Sequence, residues 1–149
     1  MTTTWSKLTN ANIPFETYPF LCQLPDGRVI HIGGSDYATD TDVLDISAQT
    51  WSVIDSRVIE GGSATMTGPG RFMKAGAAAD SQDVGPGSKT TFVLHTTSPA
   101  AWWQQTPSMA YVRSFANLTM LPDGSVLVTG RESDKNGGDI SKPVYAAEL

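Results

Sequence analysis

The sequence is poor in the residue types on which metal binding and nucleophilic catalysis usually rest. It has one cysteine and two histidines in 149 residues, which excludes an internal disulfide and any cysteine-cluster zinc site. Only 17% of its residues are charged and the formal net charge is −5. Arg71, Arg113 and Arg131, with Lys74, are too scattered for a nucleic-acid stripe, and the acidic balance opposes one. No stretch approaches the roughly 18 apolar residues that cross a bilayer. The opening Met1-Thr-Thr-Thr-Trp5 has neither a basic nor an apolar leader pattern. Neither nucleic acid nor a membrane is therefore expected as a partner, and no compartment is indicated.

Glycine and proline are plentiful, at 14 and 9 residues, and 40% of the chain is hydrophobic. That composition fits an ordered, turn-rich globular chain and argues against a helical bundle or a disordered one. The length suits one domain or part of a larger one.

The chain repeats itself. Tyr18-Pro-Phe-Leu-Cys-Gln-Leu-Pro-Asp-Gly-Arg-Val-Ile-His-Ile-Gly-Gly34 reads as a strand, a Pro-Asp-Gly turn and a second strand, a β-hairpin. The same grammar returns in Asn117-Leu-Thr-Met-Leu-Pro-Asp-Gly-Ser-Val-Leu-Val-Thr-Gly130 and, degraded, over residues 63–76. The turn glycines Gly27, Gly70 and Gly124 lie 43 and 54 residues apart, the second interval stretched by the Gly/Pro/Ser-rich loop 80–89. Such periods match propeller blades.

Further strand material follows each of the first two hairpins, at 41–46 and 50–54 and again at 90–95 and 101–104. Two hairpins per repeat make a four-stranded blade. Trp5, Trp51 and Trp102, 46 and 51 residues apart, each open an outermost strand and read as structural aromatics packed between blades.

The expected fold is all-β, an incomplete propeller of about three four-stranded blades over residues 1–149. Blade I spans 17–55 and blade II spans 61–107. Blade III, 113–149, lacks its fourth strand, and residues 1–8 look like a fourth strand without a blade. Pairing of 1–8 with 143–149 would remove the last open edge. Since three blades are too few for a ring, either two copies meet head to tail as a six-bladed homodimer, or the chain is a piece of a longer protein.

The phrases Tyr18-Pro-Phe…Leu24-Pro-Asp-Gly-Arg-Val29, Gly61-Gly-Ser-Ala64 with Met73-Lys-Ala-Gly76, the run from Met109 to Gly130, and Val144-Tyr-Ala-Ala-Glu-Leu149 together resemble the Kelch-type propeller of the galactose oxidase and glyoxal oxidase group. The resemblance covers nearly the whole chain and follows the order of that group's mid-section blades. It implies a copper radical oxidase, in which two tyrosines and two histidines hold one copper, a cysteine is joined by a thioether to one tyrosine, and an alcohol or aldehyde is oxidised by oxygen. One ligand pair of the group is an adjacent Tyr-His ahead of a Leu-Pro-Asp-Gly turn. This sequence has no Tyr-His dipeptide, and its nearest phrase, Arg113-Ser-Phe-Ala-Asn117, has Phe115 and Ala116 there. By this alignment the ligand-bearing blades would lie before residue 1 and after residue 149. No catalytic residue, metal ligand or cofactor is therefore expected within the chain, copper being implied only for the missing blades.

Cys22, inside an apolar strand, reads as a structural thiol. His31, between Ile30 and Ile32, faces either a central channel or a neighbouring blade, and His95 is expected to lie apart from it. Asp36, Asp40, Asp42 and Asp45 lack the spacing of a calcium loop. The glycine pairs precede no helix, so they read as turns and close contacts rather than a phosphate cradle, and no serine stands in a nucleophile elbow. His31, Arg113 and Tyr111 remain as ligand-contact candidates at a channel mouth. The leading expectation is a non-enzymatic scaffold or binding module, and the alternative is a fragment of a copper radical oxidase. A carbohydrate or another small molecule is the ligand class considered, with Tyr37, Trp102, Trp103 and Tyr111 as stacking faces.

Overall fold

A computed structural model describes residues 4–15, 18–34, 38–59, 61–77, 87–99, 101–130 and 143–149. Asp36, Tyr37, Arg131, most of the loop 80–89 and the first three residues of the seam lie outside them. The described chain is all-β and antiparallel, with no helix.

The first sheet has the order β1 (Pro19–Gln23), β2 (Val29–Gly34), β3 (Thr39–Asp45), β4 (Thr50–Ile59). The second has β5 (Ser63–Gly68), β6 (Arg71–Ala75), β7 (Thr91–His95), β8 (Gln104–Thr106). The third pairs β9 (Asn117–Met120) with β10 (Val126–Thr129), and Glu148 forms an antiparallel bridge with Val128. All three hairpins read from the sequence are present as β1–β2, β5–β6 and β9–β10.

Their turns follow from residue chemistry. Gly27, Gly70 and Gly124 have φ of 89°, 67° and 87°, a left-handed conformation that a Cβ disfavours. In the first and third turns Asp26 and Asp123 accept hydrogen bonds from the amides of Arg28 (3.1 Å) and Ser125 (3.0 Å), the Asx geometry that closes such loops.

The three sheets pack face to face in chain order. Ile30, Ile32 and Val43 of the first sheet meet Phe72 and Leu94 of the second. On the other face of the second sheet, Ala75 joins Val128 of the third and Met109 and Ala116 of the segment between the two sheets. The middle sheet thus buries both faces, while the outer face of the first is covered in part by the N-terminal segment. Phe15 lies against His31 and Trp51, with ring centroids 4.6 and 5.0 Å apart, and the Trp51 indole N–H donates to the Ala11 carbonyl at 2.9 Å.

Trp103 ties the first two sheets together and is 2% exposed. Its indole N–H donates to Thr41 Oγ1 at 2.8 Å, its backbone N–H donates to Asp55 Oδ2 at 2.9 Å, and Lys74 Nζ sits 4.6 Å from its ring centre. The Lys74 stem in turn needs the bare backbone of Gly61, where a Cβ would lie 2.7 Å from that side chain.

The structure corrects the sequence reading at one tryptophan and leaves another uncovered. Trp102, chosen by its spacing, is half exposed, and the strand begins two residues later at Gln104. The Asp55 carboxylate captures the Trp103 amide and turns this residue's ring, not its neighbour's, into the core. Trp5 is fully exposed and residues 4–8 form no strand within the chain, the segment that follows being fastened to the first sheet through Ala11.

Asp55 is the most strongly shifted acid. Burial alone would raise it, but hydrogen bonds from the Arg57 side chain and from the amides of Trp103 and Arg57 outweigh that and hold it at about 2. A group depressed in the folded state contributes stability above its unfolded pKa and loses it as pH falls through the folded one. About 2 kcal/mol should therefore disappear between pH near 4 and pH near 2, and Asp55→Asn should flatten that acid limb in denaturation measured as a function of pH. Replacing Trp103 by alanine should cost about 3–5 kcal/mol in chemical denaturation, whereas Trp102→Ala should stay within about 0.5 kcal/mol.

Candidate functional site

The starts of the first strands of the three sheets converge on one cavity. It encloses about 320 Å³ between β1, β5 and β9, with Tyr18, Phe20, Ser63, Phe115, Ala116 and Asn117 among its walls. Tyr18 and Phe115 both have left-handed backbones, with φ of 56° and 51°. They occupy the same place in their repeats, each nine residues ahead of a turn glycine. Such conformations are uncommon for bulky residues, cost on the order of 1–3 kcal/mol each and concentrate at binding and catalytic sites. In the second repeat the wall is reached by Gly62, which lies eight residues ahead of Gly70, is so equivalent to Ala116, and supplies backbone without a ring.

The walls combine ring faces with few polar groups. The Ser63 hydroxyl is consumed by a hydrogen bond to the Ala116 carbonyl, which fastens β5 to the approach of β9. Asn117 is exposed and offers an amide donor and acceptor. Among the six wall residues named, the Tyr18 phenol is the sole titratable group. The arrangement suits an uncharged ligand with a flat apolar face and hydrogen-bonding edges.

None of the three ligand-contact candidates chosen from the sequence lines this cavity. His31 is 2% exposed, lies under the Phe15 ring and has Nδ1 3.8 Å from Asp42 Oδ2. It faces away from Ile30 and Ile32 as alternation required, yet the N-terminal segment covers it. Arg113 is wholly buried. Its Nε and Nη2 donate to Glu148 Oε1 at 3.0 Å, Nη1 donates to the Gly130 carbonyl at 2.7 Å, and Nη2 also reaches the Ala146 carbonyl. This fork holds the 143–149 segment against β10 and has no face left for a ligand. Tyr111 is half exposed, with its ring centre 5.9 Å from Arg113 Cζ, on the rim of that clamp.

Glu148 is the functional partner that sequence reasoning missed. Besides Arg113 it accepts the amide of Ala110 at 2.6 Å. Its distance of 35 residues from Arg113 hides the pair. The repeated nine-residue spacing from Tyr18 and Phe115 to their turns was the available signal for the cavity.

The remaining candidates stay apart. Cys22 is half-buried against the main core, and burial pushes its thiol up. His95 is exposed at the end of β7. Burial raises Asp42, with Asp40 adding repulsion and His31 opposing both. Asp45 accepts the Ala48 amide at 2.9 Å in the turn before β4. Among the described residues no group of three or more His, Cys, Asp or Glu could hold a metal ion.

No family model matches the sequence, and no curated protein matches it. In structure the chain is similar to a protein described as a novel fungal alcohol oxidase with catalytic diversity among the AA5 family, in complex with copper. The TM-score is 0.58 and the identity 17%, over 89% of this chain and 40% of that one. The likeness concerns the fold, and it agrees with the β-rich fold that the repeated phrases implied. The residues do not fit the copper centre that the resemblance brings with it. Phe115 and Ala116, in the phrase nearest to that group's Tyr-His motif, line the cavity with a phenyl ring and a methyl group that carry no donor atom.

The clamp reading of Arg113 has a direct check. Arg113→Ala should cost about 3–5 kcal/mol of stability, the loss typical of breaking a buried pair. Arg113→Lys should recover little, since an ammonium cannot reproduce the planar fork. Chemical denaturation of the two variants reads both effects.

Proposed function

We propose that the chain is a non-enzymatic binding module, a three-bladed segment of a propeller that assembles with a second copy into a six-bladed ring. The cavity at the strand starts would then lie at the mouth of the ring's central channel and take an uncharged small molecule, a carbohydrate being the class its ring faces and amide suit. The observation that carries this reading is the wall of that cavity, which combines aromatic and amide side chains and has in Phe115 and Ala116 no donor atom for a metal. Fold by itself does not supply function, so the reading rests on these side chains.

A second reading is a fragment of a copper radical oxidase whose catalytic blades lie elsewhere in a longer chain. It is favoured by the fact that this chain covers 40% of the fungal alcohol oxidase. Light scattering on a sizing column separates the two. A single species of twice 15.9 kDa supports the ring, whereas a monomer or an aggregate with open strand edges supports the fragment. Titration with neutral monosaccharides, followed by nuclear magnetic resonance shifts, should move the Asn117 amide. Tyr18→Ala should weaken binding more than about ten-fold, as expected for loss of an aromatic anchor, and a saturating shift that survives this substitution would overturn the assignment of the cavity.

A further inference from the structure

A second cavity, of about 260 Å³, lies between the second and third sheets. Its walls include Met73 and Thr91 on one side and Val126, Val128 and Leu149 on the other. The internal repeat says what belongs there. Counted from the turn glycines, Val29, Phe72 and Val126 are equivalent, as are His31, Lys74 and Val128. Val29 pairs with Leu44 and Phe72 with Leu94, so Leu44 matches Leu94, and Thr41 matches Thr91 three residues earlier.

Thr41 accepts the Trp103 indole N–H that arrives from the next sheet. Thr91 stands at the same position on the second sheet and faces the third, beside Ala75 in the ladder. The socket between the first two sheets is filled by the tryptophan that precedes a fourth strand. The socket between the second and third corresponds to this cavity, and the third sheet has no fourth strand among the described residues.

The missing tryptophan has a counterpart at the other end of the chain. Thr4-Trp5-Ser6 repeats Thr50-Trp51-Ser52, which opens β4. Trp51 pairs with Leu44, and Trp103 lies opposite Leu94 one step beyond the Val93–Gln104 pair. Trp5 is fully exposed. It cannot reach the socket of its own chain easily. Ala11 is tied to the outer face of the first sheet, and the six residues from there to Trp5 extend at most about 21 Å. The straight line past two sheets at about 10 Å per layer already takes up about 20 Å of that reach, and the chain has to go round the sheets rather than through them.

We propose that the cavity between the second and third sheets is an indole socket, and that its occupant is Trp5 of a second copy of this chain. Residues 4–8 of that copy add as a strand beside 143–149, and the Trp5 indole N–H donates to Thr91 Oγ1. Thr91 Oγ1 already donates to the Pro107 carbonyl at 2.7 Å and lies 2.6 Å from Thr106 Oγ1, and its second lone pair is open to an indole donor. The proposal rests on the two-copy ring and names the contact that would close it.

The test uses the full chain carrying Trp5→Ala, which leaves its own socket free, and a dye-labelled peptide of residues 1–8 followed by fluorescence anisotropy. Saturable binding is expected for the peptide. A peptide with Trp5→Ala should bind more than about ten-fold more weakly, because the buried ring is the anchor. Thr91→Val in the chain should weaken the unaltered peptide yet leave a Trp5→Phe peptide unchanged, the signature of one N–H···O contact in a double-mutant cycle. Equal binding of the tryptophan and alanine peptides, or none of either, would overturn the socket. A dimer of unchanged mass in the Trp5→Ala chain would overturn it too while leaving the two-copy ring in place. Tryptophan-dependent peptide binding, where the unaltered chain is itself a monomer, would keep the socket and remove the ring.

Discussion

A single indole organises the better-packed half of this protein. Trp103 lies between two sheets whose facing surfaces carry polar groups that water cannot reach: Thr41, Lys74 and Asp55 are all buried. Each would be costly to bury alone. The tryptophan resolves all three by offering an indole N–H to the threonine, a ring face to the ammonium and a backbone N–H to the carboxylate. Arg57 completes the circuit, pairing with Asp55 and donating to the Trp103 carbonyl at 2.9 Å. The apolar cluster of Ile30, Ile32, Phe72 and Leu94 packs around a polar network that is already satisfied, and such networks favour one arrangement of sheets over others.

The junction between the second and third sheets is built on different terms. Its core is small, with alanines at two of four buried positions, and the holding force comes from the rim, where Arg113 spans Gly130, Ala146 and Glu148. A large ring at the first junction and a cavity at the second are two states of one repeated design. Among the described residues the first two sheets have four strands each and the third has two.

The strand-start cavity draws on the same repetition. Equivalent residues of the first and third repeats, Tyr18 and Phe115, bring rings to a common region, and the bare backbone of Gly62 in the second repeat leaves the space between them. Left-handed backbones at the two rings are a strain that the surrounding ladders must hold in place. The fold is similar, at 17% identity, to that of a fungal alcohol oxidase in complex with copper, and the side chains at such positions, not the sheets, set what can bind.

The amino-acid sequence by itself determined the local events. Hairpins form where Pro-Asp-Gly permits a left-handed turn, alternation sets His31 opposite Ile30 and Ile32, and the spacing of turns sets the order of sheets, since each of these depends on residues within a few positions of one another. Only the tertiary structure decided between Trp102 and Trp103, whose spacing to Trp51 differs by a single residue, because the choice is made by Asp55, 48 residues away. It likewise turned Arg113 from a ligand candidate into a clamp through Glu148, and covered His31 with Phe15. A buried charge or polar group takes its role from the partner that desolvates with it, and such partners came together here across sequence separations that no local pattern encodes.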